Sequence, residues 1–150
     1  MIRVLFLCHG NICRSPMAEF ILKDMVSTRG IADQFDIASA ATSREEIGNP
    51  VYPPAVRELA RHGISAAGKT ARQLRREDYD RYDYLLTMEA YNLPNAMRIL
   101  KADPEDKLKL LLDFTDVPGD IADPWYCGHF DRTYADITQG CQGLLAHLGF

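Results

Sequence analysis

Four short runs rich in apolar, β-branched and aromatic residues punctuate the chain: Ile2 to Leu7, Phe35 to Ala41, Tyr82 to Met88 and Leu108 to Phe114. Each is short enough for a strand and is followed by loop and helix signals. Between them, apolar positions recur at helical spacing. Met17, Phe20, Ile21 and Met25 share one face of a segment predicted helical from Pro16 to Thr28, with Gly30 as its stop. A second helix is predicted to begin near Pro53-Pro54 and to end at Gly63, with Val56, Leu59 and Ala60 inward. A third occupies part of Glu89 to Leu100, where Pro94 must lie in the first turn or disturb the helix. The last segment is the most regular: Phe130, Tyr134, Ile137, Cys141, Leu144, Leu145 and Leu148 fall three and four residues apart, a stripe that must face a core.

Strands alternating with helices predict an α/β protein whose parallel sheet is covered on both faces. A four-stranded, flavodoxin-like three-layer αβα sandwich is the architecture expected. Neither an internal repeat nor a long linker interrupts it, so residues 1–150 read as a single domain. In such sheets ligands sit beyond the carboxyl ends of the strands, near the point where the strand order reverses. Cys8 falls at such a strand end.

Composition narrows the function classes. A formal net charge of −4 disfavours general binding to nucleic acid or anionic membrane, both of which need a cationic surface. No apolar run approaches a membrane span. The amino-terminal Met-Ile-Arg-Val-Leu-Phe-Leu lacks the parts of a secretory signal, which makes a cytoplasmic location the expectation. Cys8, Cys13, Cys127 and Cys141 form neither a C-x-x-C pair nor a zinc spacing, so no metal is expected and a reducing compartment is the simplest setting. Cys141 lies on the apolar stripe and reads as a buried packing residue. His62, His129 and His147 have no ligand-like spacing and read as structural or solvated.

The chemistry concentrates in Cys8-His9-Gly10-Asn11-Ile12-Cys13-Arg14-Ser15, directly after the first apolar run and directly before Pro16. That order reads as strand, loop and helix start. Proline is favoured in a first helical turn, where its missing N–H costs nothing, and the free N–H groups there attract an anion. A thiol at the base of such a cradle is pushed toward the nucleophilic thiolate by the same field, which makes Cys8 a candidate nucleophile. Arg14 can clamp two phosphate oxygens at once. Gly10 and Asn11 suit a loop that turns its N–H groups inward, because both tolerate positive φ. Ser15 can donate a hydrogen bond to the Cys8 sulfur.

This loop resembles that of the low-molecular-weight protein tyrosine phosphatases, Cys-x5-Arg-Ser-Pro at the first strand–helix junction. The resemblance extends along most of the chain, through Ser39-Ala40-Ala41-Thr42-Ser43, Ile47-Gly48-Asn49-Pro50, Ala71-Arg72-Gln73-Leu74 and Asp123-Pro124-Trp125-Tyr126. It implies the strand order 2-1-3-4, hydrolysis of phosphotyrosine in proteins through a cysteinyl-phosphate, and no cofactor. The substrate-binding set it implies is His9, Gly10, Asn11, Ile12, Cys13 and Ser15 around a phosphate or other oxyanion, with Trp125 as a wall of the slot for the substrate ring. It also makes Asp123 the general acid, Ser39 a support for Asn11, and Tyr126 a phosphorylation site. By itself Asp123 reads as a loop-shaping residue, whereas Trp125 reads equally as core packing. His9 is either a rim contact or simply exposed.

Two positions depart from the family pattern. A histidine that buttresses the loop asparagine in many members is replaced by Lys69, and the second aromatic wall of the animal enzymes corresponds to Glu45. An arsenate reductase of this fold would need two further cysteines near residues 80 to 90, where this chain has none. A protein arginine phosphatase carries threonine before the second loop cysteine. Here that residue is Ile12, whose apolar bulk suits an aryl phosphate better.

Overall fold

A computed structural model describes residues 1–150. Strands β1 (Ile2–Cys8), β2 (Phe35–Ala41), β3 (Tyr84–Thr87) and β4 (Leu108–Leu110) form one parallel sheet in the order β2-β1-β3-β4. Helices α1 (Arg14–Thr28), α2 (Pro53–Arg61), α3 (Asp78–Arg81), α4 (Asn92–Leu100), α5 (Pro124–Cys127) and α6 (Phe130–His147) complete the chain. The α/β class and the 2-1-3-4 order are those expected from the sequence.

The pleat of β1 shows why the sheet is covered on both sides, since successive side chains leave a strand on opposite faces. Val4, Phe6 and Cys8 enter a core with Met17, Ile21 and Leu22 of α1, Leu59 of α2, and Ile137, Cys141 and Leu144 of α6. Leu5 and Leu7 enter a second, smaller core with Leu85, Tyr79, Tyr82, Ala96 and Leu100. The two cores are the interfaces of a three-layer sandwich. β1 is central, paired with β2 from Ile2↔Phe35 to Cys8↔Ala41 and with β3 from Val4↔Tyr84 to Leu7↔Thr87. The reversal in strand order therefore falls at the carboxyl end of β1, where Cys8 ends the strand.

Several boundaries and faces differ from the sequence expectation. Helix α1 begins at Arg14 rather than Pro16, so Arg14 and Ser15 belong to the first turn, where a proline two residues later is still harmless. In α2 the inward residues are Ala55, Glu58 and Leu59, whereas Val56 and Ala60 face outward. A buried glutamate takes the place of an apolar residue there because Arg61 and His62 bond its two oxygens at 2.9 and 3.0 Å. The fourth apolar run is strand only to Leu110. Leu111–Phe114 coil into a 3-10 turn, with the Asp113 carboxylate accepting the Leu110 N–H at 3.1 Å. The single-turn helices α3 and α5 are too short for periodicity to reveal.

Helix α6 crosses this 3-10 turn at close range. A Cβ at Gly143 would lie 2.2 Å from the Phe114 carbonyl oxygen, and one at Gly140 would lie 2.6 Å from Leu111 Cγ. Only glycine permits that approach. Thr133, Ile137, Cys141 and Leu144 thereby seat fully, as the apolar stripe predicted for all but the first. No helix is long and apolar enough to cross a membrane.

Candidate active site

The loop between β1 and α1 is built around Asn11, which has φ of 60° and is 1% exposed. Asparagine tolerates the left-handed region better than most residues, and buried bonds hold it there. Its Nδ2 donates to Ser15 Oγ at 2.8 Å and to Ser39 Oγ at 2.9 Å, while its Oδ1 accepts the Arg72 N–H at 3.2 Å. Three of the four hydrogen bonds open to a buried amide side chain are thus made, to partners on α1, on β2 and in the segment after Lys69. The result of the turn is that His9, Gly10, Ile12 and Cys13 each present an N–H with no protein acceptor. A concave group of free donors at a helix start is an anion cradle.

Cys8 Sγ lies at the base of this cradle, 3% exposed, 2.9 Å from Ser15 Oγ and 3.3 Å from the Asn11 N–H that donates to it. Arg14 is 2% exposed. One arm of its guanidinium donates to the Ile121 carbonyl at 2.9 Å, and the other donates to Glu89 Oε1 at 2.8 Å and lies 3.5 Å from Asp123 Oδ2. Burial alone would lower its pKa, but the Glu89 hydrogen bond and the negative charges of Cys8, Asp123 and Glu89 outweigh burial and hold it above the ordinary value. A guanidinium fixed this way presents a rigid fork to an incoming anion. Cys13, also buried, is different: desolvation first, and the nearby Cys8 and Asp123 charges next, push its thiol up to about 12.

The opposite wall comes from the segment before α6. Asp123 caps the short helix α5, its Oδ1 accepting the Trp125 N–H at 3.0 Å, with Pro124 in the first helical position. Gly128, at φ of 75°, ends the turn. Trp125 is half exposed, packs against Tyr52 at a ring separation of 4.6 Å, and stands beside an exposed Tyr126. Cys8, His9, Gly10, Ile12, Cys13, Arg14, Glu45, Glu46, Asp123, Trp125 and Tyr126 line one pocket.

The structure therefore brings together Cys8, Arg14 and Asp123, residues as much as 115 positions apart in sequence. It also assigns the open alternatives: Trp125 is a pocket wall rather than core, and His9 is a rim residue bonded to Glu45 Oε2 at 3.0 Å. Asn11, Ser15 and Ser39 lie behind the loop and not on the pocket surface. Tyr126, 87% exposed, lies at the pocket and belongs to no core. Sequence reasoning missed Glu89, the ion-pair partner of Arg14, Glu46 on the rim, and Tyr52 behind Trp125. Glu89 follows directly on the apolar run that forms β3, so its place at the same sheet edge as Cys8 was the available signal.

The pocket thus has a cysteine at the floor of an N–H cradle, a buried arginine beside it and a carboxylate across it, an arrangement with the chemistry to receive an oxyanion. Comparison with known proteins makes the class specific. The family model described as low molecular weight phosphotyrosine protein phosphatase matches residues 3–149. The chain is 38% identical to the low molecular weight protein-tyrosine-phosphatase YfkJ of Bacillus subtilis, over 99% of this chain and 96% of that protein. It is 37% identical to the human low molecular weight phosphotyrosine protein phosphatase, over 95% of this chain and 92% of that one. The crystal structure of YfkJ superposes with a TM-score of 0.95 over 99% of this chain and 95% of that chain. A Drosophila arginine phosphatase, 29% identical, superposes at 0.88 over 99% of each chain. This chain belongs to the low molecular weight phosphotyrosine protein phosphatase family, a family of hydrolases.

Proposed function

We propose that this chain is a single phosphatase domain that hydrolyses phosphotyrosine in proteins through a cysteinyl-phosphate. One observation carries the reading: Cys8, Arg14 and Asp123 line one pocket whose walls include the aromatic residues Trp125 and Tyr126. A flat aryl group fits between such walls, and its phosphate then meets the free N–H groups of the cradle.

Phosphate monoester hydrolysis passes through a loose transition state with charge on the equatorial oxygens and on the leaving oxygen. The N–H groups and the Arg14 fork bind the equatorial oxygens. The Cys8 sulfur attacks phosphorus, the bond from phosphorus to the aryl oxygen breaks, and Asp123 passes a proton to that oxygen. In the second step Asp123, now a carboxylate, takes a proton from water as the water oxygen attacks phosphorus. The sulfur–phosphorus bond breaks, and inorganic phosphate and the Cys8 thiolate are released. Ser15, 2.9 Å from the sulfur, donates to the departing thiolate.

Arginine phosphatase activity is the second reading, favoured by the Drosophila relative and by Glu45 and Glu46 on the rim, which would suit a cationic phosphoguanidinium. Ile12 on the pocket surface favours the aryl ester. Phosphate release from matched phosphotyrosine and phosphoarginine peptides, with arsenate reduction as a control, separates the readings. The phosphotyrosine peptide is expected to turn over faster, and a reversed preference would overturn the proposal.

A further inference from the structure

The mouth of the pocket carries more aromatic surface and more negative charge than a slot for one phosphotyrosine ring uses. Beyond Trp125 and Tyr126, a third exposed ring stands beside His9: Tyr91 lies 6.4 Å from the His9 ring, tilted by 46°. Tyr91 is 63% exposed, although the chain around it is pinned. The Ala90 N–H donates to Asp120 Oδ1 at 2.8 Å, and Asn95 Nδ2 donates to the Tyr91 carbonyl at 3.1 Å. A single exposed tyrosine needs no explanation. This one continues a row of Glu45, His9 and Tyr91, of which the first two line the pocket and the third does not.

The charge along this row is unbalanced. Glu45 is exposed, and its carboxylate bonds only His9, Oε2 to Nε2 at 3.0 Å. Glu46 bonds the Asn49 amide and Asp120 the Ala90 N–H, so neither is paired with a lysine or arginine. Arg44, next to Glu45 in sequence, donates instead to Gln73 Oε1 at 3.2 Å, and Arg14 is buried against Glu89. Carboxylates at the mouth oppose the approach of a phosphate dianion. A cation carried by the substrate itself offsets that repulsion. An aromatic face close to a carboxylate seats such a group, the ring attracting an ammonium or guanidinium through its π face and the carboxylate through charge and hydrogen bonds. The methylene stem of lysine or arginine also covers ring surface.

We propose that Tyr91, with Glu45 and His9, forms a subsite beside the phosphotyrosine slot that receives a lysine or arginine side chain of the substrate, so that this chain prefers phosphotyrosine with a basic neighbour. The proposal rests on the slot receiving phosphotyrosine. Tyr91 meets the substrate away from the reacting atoms, so its contribution falls on KM rather than on kcat. His9, bonded to Glu45, joins the carboxylate to the ring side of the subsite.

The test uses one phosphotyrosine peptide in which each flanking residue is replaced in turn by Lys, Ala, Leu or Glu. Wild type, Tyr91→Ala, Tyr91→Phe and Glu45→Gln are compared by kcat and KM on these peptides and on phenyl phosphate, which has no flanking residues. In the wild type, lysine at one flanking position or more is expected to lower KM by about tenfold relative to alanine, with kcat changed by less than about twofold. That is the scale of a cation–π contact and a rim ion pair together. Tyr91→Ala is expected to cut the lysine preference to about threefold or less and to leave phenyl phosphate turnover unchanged, whereas Tyr91→Phe keeps the ring and the preference. Glu45→Gln is expected to cut the preference by a similar factor. Equal KM for lysine and alanine peptides, a stronger preference for leucine or glutamate, or a Tyr91→Ala loss that falls equally on phenyl phosphate would each overturn the proposal. Binding of the same peptides to Cys8→Ser separates the two readings. Absence of turnover by the wild type, with a Tyr91-dependent lysine preference in binding, would sink phosphotyrosine hydrolysis alone; turnover without that preference would sink the subsite alone.

Discussion

The two walls of the site are held by different physics. The cradle, Cys8 to Ser15, is fixed from behind by buried bonds to distant parts of the chain: Asn11 to Ser39 and Arg72, and Arg14 to Glu89 and Ile121. The acid wall, Asp123 to Tyr126, is held more locally and nearer the surface: the Trp125 N–H donates to Asp123 Oδ1, Asp123 lies 3.5 Å from Arg14, Trp125 packs on Tyr52, and Trp125 and Tyr126 are exposed. Preorganised, water-excluded groups supply most transition-state stabilisation, whereas a proton donor must reach leaving groups of varied shape. The cradle is therefore the wall where small changes should be most costly, and the acid wall the one where cost should depend on the substrate.

The largest effects are expected in the cradle. Cys8→Ser should lower turnover by about 10⁴-fold or more, the scale of removing a nucleophile, while vanadate or phosphate binding persists. Arg14→Lys keeps the charge but loses the fork, and should cost roughly 10²-fold or more in kcat. It should also lower Tm, because Glu89 and the Ile121 carbonyl lose a buried partner. Steady-state kinetics and thermal melts check both, and either variant retaining more than about a tenth of wild-type activity would exclude the assigned role.

The acid wall is next. Asp123→Ala is expected to slow phosphotyrosine hydrolysis by roughly 10²-fold. An aryl phosphate with a much more acidic phenol should suffer far less, because its leaving oxygen needs little protonation. Pre-steady-state release of the phenol isolates the step. Equal slowing of good and poor leaving groups would make Asp123 a loop-shaping residue and move the search to Asp116, Asp120 or Asp131.

Oxidation separates the walls again. Cys8 and Cys13 both line the pocket, so a Cys8 sulfenic acid could be captured by Cys13 as a disulfide, with water leaving. Burial keeps the Cys13 thiol up at about 12, which slows capture at neutral pH, but the Cys8 charge that helps hold it there disappears on oxidation. Thiol-reversible recovery after peroxide should therefore be partial at neutral pH, greater at higher pH, and largely absent in Cys13→Ser. Equal recovery of the two proteins would show that Cys13 only packs beneath the loop.

The smallest effect concerns stability in alkali. Burial raises the thiols of Cys13 and Cys141 above their ordinary value of 9.0. The folded state keeps these acids neutral while the unfolded state ionises them, so their contribution is full below pH 9 and declines as pH rises toward 12. At pH 10 the loss should be on the order of 1 kcal/mol for each thiol. Urea midpoints at neutral pH and at pH 10 measure it, and Cys13→Ala should remove one thiol's share of the decline.

The cradle and the acid wall also differed in how far they could be read from the chain. Cys8, Arg14 and Ser15 stand within one strand–loop–helix unit, where apolar run, spacing and proline all describe the same local geometry. The α/β class and the apolar stripe of α6 were legible for the same reason, since period and punctuation are local properties. Asp123 and Trp125 carried no local sign and depended on the family resemblance. Val56 and Ala60 were assigned inward because periodicity ranks apolar residues. Glu58 won that face through its bonds to Arg61 and His62. Gly140 and Gly143 gave no signal either, as their necessity lies in how closely α6 meets the 3-10 turn.

By itself the sequence determined the strand that ends in Cys8, the loop that follows it and the class of sheet that carries them, because backbone sterics and hydrophobic period act over a few residues. Tertiary structure decided which carboxylates answer Arg14, which groups hold Asn11 at positive φ, and that Trp125 forms a pocket wall. Those depend on long-range packing, where burial makes every unpaired charge or amide costly and so selects partners that no local pattern encodes.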